Sequence, residues 1–211
     1  MHFSKPLTLA ALSDLRPTQM AVGAAEVSAK RAEWARLKRR DRAQALAEHW
    51  FPAVRGPGEH FYIVDHHHLG AALLQEDVEQ VWVMQLADYA DLHNDMFWRL
   101  MEFQHWAHPY DAEGCRRSYE DMPSRLDDLG DDPYRSLAGL ARHAGGFAKD
   151  TAPYAEFLWA EFFRRQPGLR KLGTLKPGTS IPPAKLKLAM ELAHGADARH
   201  LPGWSGKAEA A

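Results

Sequence analysis

The sequence predicts an α+β core followed by a mostly helical second half, and three observations carry that prediction. Short aromatic and β-branched runs alternate with helical patterning over roughly the first 90 residues. Turns rich in glycine and proline separate those runs. Further on, the apolar residues recur at helical spacing. At 211 residues the chain is long enough for one well-buried core with a helical extension. The expected division is residues 1–92 for the core, 93–204 for a helical extension packed on it, and 205–211 for a disordered tail.

Leu7 to Leu15 ends at an Asp-Leu-Arg-Pro step, where Pro17 pushes Arg16 toward extended backbone. Gln19 to Gly23 reads as a short strand or turn. Glu26 opens a long amphipathic helix. Val27, Trp34 and Leu37 fall near one of its faces, and Lys30, Arg31, Arg36, Lys38, Arg39 and Arg40 lie mostly around the other. Lys38 to Arg42 reads as the basic end of that helix, where cations suit the dipole; the same cluster is a candidate for phosphate. Ala43 to His49 reads as a second short helix and Trp50 to Val54 as a strand. Arg55-Gly56-Pro57-Gly58-Glu59 is a turn, and Phe61 to Val64 is the next strand, so the pair predicts a hairpin. A helix follows through Leu69, Ala72 and Leu73, then a strand from Val81 to Leu86. In the second half, helices are expected over Met96–Phe103, Tyr134–His143, Pro153–Arg165 and Ala184–His194. Pro109 and the Gly145-Gly146 pair act as breakers, and Leu172 to Pro183 reads as a loop.

Composition narrows the classes. Hydrophobic residues at 45% and charged residues at 26% suit an ordinary globular protein. The formal net charge of -2 provides no global basic field for nucleic acid, although a local basic face fits the same total. Cys115 is the single cysteine, so one chain builds neither an internal disulfide nor a thiolate zinc cluster. No apolar run nears the ~18 residues needed to span a bilayer. The N-terminal run from Met1 to Leu12 is broken early and lacks a cleavage-site pattern. A cytoplasmic location with no membrane partner is expected.

The chemistry concentrates between His60 and Leu74. An aspartate and three histidines, Asp65-His66-His67-His68, sit where a strand ends and a helix starts. That geometry sets a carboxylate and imidazoles beside backbone N–H groups and the positive end of a helix dipole, a place for an anion, a metal or both. Three adjacent side chains in a turn cannot all enter one core, so at least one imidazole should face solvent or a pocket. Two can converge with a carboxylate, which makes Asp65, His66 and His68 the metal-ligand candidates, for zinc, manganese or nickel. On packing grounds alone, Asp65 would cap the helix. His105 and His108, three residues apart, share a helix face; a structural role is the preferred reading for both, as it is for Phe97, Trp98, Met101 and Phe103.

These elements in this order resemble the ParB/sulfiredoxin superfamily, and more narrowly the putative ParB-like nuclease family. The resemblance is carried by Leu15-Arg16-Pro17-Thr18-Gln19 with Val22-Gly23, by Glu26-Val27, by Val64-Asp65-His66-His67-His68 with Ala72-Leu73, and by a closing Leu201-Pro202-Gly203-Trp204. It implies a ParB/sulfiredoxin-like core over roughly residues 10–90. In this superfamily the turn after the strand cradles nucleotide phosphates at a helix N-terminus, and a glutamate after the first strand serves as base in the free-serine kinases. By position, Glu26 matches that base, and Asp65, His67 and His68 match the phosphate turn. His66 stands where many relatives have glycine, and Leu69 where they usually have arginine. The turn thus lacks the arginine fork for phosphate, for which Arg16 is the candidate substitute, with Gln19 beside it. Sulfiredoxin chemistry does not fit, since that signature places a cysteine in the turn.

The function implied is a phosphate- or nucleotide-handling protein, a nuclease or phosphoryl-transfer enzyme. Glu26, Asp65 and His67 would be catalytic, and Arg16, Gln19, His66, His67 and His68 would bind the phosphate. A divalent metal or a nucleotide is the implied cofactor, and the implied partners are a nucleotide or other phosphate-bearing ligand, and DNA. The alternatives are a non-catalytic DNA- or nucleotide-binding module, and an ADP- or ATP-dependent kinase acting on an amino acid.

Overall fold

The computed structural model describes residues 6–174 and 179–206. The chain forms two compact units, one from Met1–Val22, Val27–Asp111 and Cys115–Gly130, the other from Gly23–Glu26, Ala112–Gly114 and Asp131–Ala211. The strands are β1 (Leu7–Ala11), β2 (Arg16–Pro17), β3 (Ala21–Val22), β4 (Phe51–Arg55), β5 (Phe61–Ile63), β6 (Gln80–Asp88) and β7 (Gly130–Asp131). The helices are α1 (Ala24–Arg36), α2 (Arg39–Glu48), α3 (His67–Leu74), α4 (Asn94–Phe103), α5 (Pro133–His143), α6 (Ala155–Arg165) and α7 (Pro183–Ala193). The α+β architecture with a mostly helical C-terminal half matches the ParB/sulfiredoxin-like expectation.

In the first unit a mixed five-stranded sheet runs in the order β1-β6-β4-β5-β2. The pairs β1–β6 and β4–β5 are antiparallel, and β4–β6 and β2–β5 are parallel. The expected hairpin is β4–β5, with Ala53 opposite Ile63 and Arg55 opposite Phe61. Its central strands are buried on both faces, which is why they read as continuous apolar runs. Phe51, Ala53 and Ile63 join Leu12, Leu15, Trp34, Leu73, Val81 and Val83 in one cluster. The alternate residues Val54 and Tyr62 meet α4 through Phe97, Trp98 and Met101 in another. The Tyr62 ring lies 4.6 Å from that of Phe97 and 5.5 Å from that of Trp98, so Phe97, Trp98 and Met101 of the α4 stripe are core, whereas Phe103, at its end, is 77% exposed.

The basic cluster is placed differently from expectation. α1 stops at Arg36 and a new helix starts at Arg39, so Lys38 to Arg42 forms the first turn of α2 rather than the last turn of α1. The break is stabilised by Trp34, which is buried from α1 and carries the Arg42 guanidinium over its ring at 5.0 Å.

The second unit is helical, with α5, α6 and α7 around Trp159, Phe163, Leu137, Leu169 and Ala189. Phe147 stacks on Trp159 at 4.1 Å, and the Trp159 indole N–H donates to the Pro202 carbonyl at 2.8 Å. The Leu-Pro-Gly-Trp segment is therefore a structural latch. Gly203 has φ +74°, and a Cβ there would stand 2.1 Å from the Ala148 carbonyl oxygen. The region expected as a loop from Leu172 begins inside a 3-10 segment, Pro167–Thr174; residues 175–178 lie outside the described residues, as do 207–211 of the expected disordered tail.

Candidate functional site at the strand-to-helix turn

β5 ends at Ile63, and Val64 and Asp65 lead into α3. His66 is the cap residue of α3; it sits in the left-handed region, at φ +66° and ψ +22°, and no side chain caps the helix. The packing-based expectation that Asp65 caps α3 does not hold: its exposed carboxylate accepts the N–H of its neighbour His66, at 2.6 Å.

The three histidines go different ways. His67 is turned inward and is 5% exposed, and its Nε2 accepts the Thr18 backbone N–H at 3.1 Å. An amide can only donate, so this imidazole presents the lone pair of Nε2 to the core. Thr18 is buried too; its hydroxyl donates to the Ile63 carbonyl at 2.8 Å. His67 and Thr18 together clamp the turn to the β2 edge, where Arg16 and Pro17 pair with Tyr62 and Ile63. His66 is half-buried, edge-on to Phe51 at 5.8 Å, and its Nδ1 is buried with no hydrogen-bond partner among the described residues. Burial pulls the His66 pKa below its ordinary value, while the Asp65 carboxylate works against that shift. His68 is half-buried.

The β2 edge brings the other predicted binding residues to the same unit. Arg16 is already engaged: Nη1 donates to the Ser124 carbonyl, and Nη2 lies 3.3 Å from His60 Nε2. Gln19 is 8% exposed, and its side-chain Nε2 has no hydrogen-bond partner among the described residues. Gln19 bridges to His108, whose backbone N–H donates to the Thr18 carbonyl at 2.8 Å and whose ring stacks on Tyr110 at 4.5 Å. Thr18 and His60 are the contributors that sequence reasoning missed. The signal for Thr18 was its place between a strand-fixing proline and Gln19, which says nothing of a partner 49 positions away.

A sequence family described as "Putative ParB-like nuclease" matches residues 8–165. The chain belongs to that family. A solved relative, protein Atu1540 from Agrobacterium tumefaciens, is 42% identical, covers 98% of this chain and 100% of its own, and superposes with a TM-score of 0.86. No curated protein matches.

In this ParB-like chain, His66, which stands where the resemblance leads one to expect glycine, has a glycine-like positive φ. Glu26, the base candidate implied by the resemblance, belongs to the second unit, on the first turn of α1. There it lies against Gly139 of α5 and within the field of the Arg135 guanidinium. Among the described residues, no group of three His, Cys, Asp or Glu side chains is arranged to hold a metal ion, so Asp65, His66 and His68 do not converge as a ligand set. No described helix is long and apolar enough to cross a membrane.

Proposed function

We propose that this ParB-like protein binds a phosphate-bearing ligand, a nucleotide or a nucleic-acid phosphate, at the N-terminal end of α3, and that it carries out nuclease or phosphoryl-transfer chemistry there. The observation that carries the reading is the left-handed His66. It gives the turn, without glycine, a positive φ at the place where the resemblance implies a phosphate turn, and no side-chain cap is formed at that helix start. His66 and His68 are assigned to the ligand. His67 is assigned to holding the turn, because its Nε2 is taken by Thr18. Gln19 offers a buried amide donor, and Arg16 a guanidinium that would leave His60 or Ser124 to reach an anion. Asp65 is assigned to orienting the attacking group or a ligand-borne cation. Glu26, in the second unit, is given the general-base role by the resemblance to the free-serine kinases alone.

A panel of ADP, ATP, CTP and duplex and single-stranded oligonucleotides, each with and without magnesium or manganese, tests this by thermal shift and by product release. A ligand at a hundred times its Kd stabilises by about 2.7 kcal/mol, a shift of several degrees. Asp65→Ala with His68→Ala should abolish both shift and turnover while preserving the fold. Identical traces for wild type and that double variant would end the proposal. DNA binding without turnover would identify a binding module instead, and phosphate transfer from ADP or ATP to an amino acid would identify a kinase.

A further inference from the structure

α5 carries a buried arginine whose donors are not all used. Arg135 is 5% exposed, and its guanidinium lies 3.6 Å from the centre of the Phe157 ring. Its Nη2 is 3.9 Å from Glu156 Oε2, and the other oxygen of that carboxylate is 2.6 Å from Arg142 Nε. Nε and Nη1 of Arg135 are buried with no hydrogen-bond partner among the described residues. With Glu156 beyond hydrogen-bond distance, a guanidinium so buried gains from a second counter-charge.

Gly139 stands four residues beyond Arg135, on the same face of α5. A Cβ at that position would lie 2.2 Å from Glu26 Oε1 and 2.8 Å from Glu26 Cδ. The carboxylate of Glu26 thus fills the space that any side chain at 139 would take. The backbone around it is tied to the same helix start. The Ala24 N–H donates to Asp131 Oδ1 at 2.9 Å, and the Ala25 N–H to Ser136 Oγ at 3.1 Å. Glu26 exerts the largest favourable charge effect on Arg135, ahead of Glu156 and Asp132, against a burial that pulls the arginine pKa down.

We infer that Arg135 is a positioning residue, its buried guanidinium holding the Glu26 carboxylate on the shelf left open by Gly139. The inference rests on the assignment of Glu26 as general base. Arg135 supplies charge from one side, Gly139 supplies room, and the Asp131 and Ser136 side chains fix the helix turn from which Glu26 projects.

The test uses the full chain as wild type, Glu26→Gln, Arg135→Met, Arg135→Lys, Gly139→Ala and the Glu26→Gln, Arg135→Met double variant. Three quantities are read: the urea midpoint, the NMR signal of the Arg135 Nε–H, and hydrolysis of ATP and of a fluorescent oligonucleotide. A positioning role predicts that the double variant unfolds at a urea concentration no lower than the worse single variant. It predicts that Glu26→Gln moves the Arg135 signal. It also predicts that Arg135→Met and Gly139→Ala lower kcat, by up to about a hundredfold for an ångström-scale displacement, at nearly constant KM, with Arg135→Lys recovering part of the loss. Additive midpoint shifts with an unmoved Arg135 signal would overturn the pairing, whatever the turnover. Coupled midpoints with a fully active Glu26→Gln would instead overturn the base assignment, and with it the positioning role, leaving a structural ion pair.

Discussion

His66 holds a backbone conformation that its side chain disfavours, and that single fact separates two readings of the turn. Residues with a Cβ pay for positive φ, and glycine does not. Replacing His66 by glycine or by alanine removes the same ring contact with Phe51, so the difference between the two variants isolates the backbone. His66→Gly is expected to be more stable than His66→Ala by about 1 kcal/mol in urea unfolding; equal stabilities would mean that the turn does not hold its left-handed form in solution. His66 also sets a pH dependence. Its folded pKa lies below the ordinary 6.5, chiefly through burial. The unfolded chain therefore takes up the proton first as pH falls. The stability tied to the neutral ring is complete above about pH 6.5 and drains away as pH drops through that value toward the folded pKa. His66→Gln should flatten this slope in urea midpoints measured between about pH 5 and 8. His67 belongs to the same scale. His67→Ala leaves the buried Thr18 N–H without its acceptor and opens a void, and should cost about 2–4 kcal/mol. A loss below 1 kcal/mol would show that the Thr18–His67 bond is not holding the turn.

At the scale of elements, local patterning and capping account for most of what was foreseen. The strands β4, β5 and β6 and the helices α3 to α7 were legible because each has a run or spacing that serves one structure better than the other. The exception is informative. Lys38 to Arg42 read as the end of α1 because cations suit helix C-termini, yet Arg39 and Arg40 occupy the start of α2, where the dipole opposes them. Arg40→Glu should accordingly stabilise the protein by about 0.3–1 kcal/mol at low salt, an increment that added salt removes. What decided the helix break was the docking of Trp34 and its contact with Arg42, and no periodicity encodes that. α5 depends on a different device. Asp132 caps it by accepting the Tyr134 N–H at 2.9 Å and pairs with Arg164 at 2.6 Å, all at 4% exposure. Asp132→Ala removes the cap and one of the two carboxylates on Arg164, which keeps Glu161 at 2.8 Å, and should cost about 2–4 kcal/mol in chemical denaturation.

Across the whole molecule, the amino-acid order by itself determined the class of the fold, the family, the turn that presents the histidines, and most helices and strands. These follow from local steric preference and hydrophobic spacing, which act between residues a few positions apart. Only the tertiary structure decided which histidine faces the core, that Arg16 is held by Ser124 and His60, and that Glu26 rests on Gly139 in the second unit. Each of those outcomes pairs groups far apart in the chain. The partner is chosen by which buried donor lacks an acceptor, or which buried charge lacks a counter-charge, once the sheet order and helix packing have set the distances.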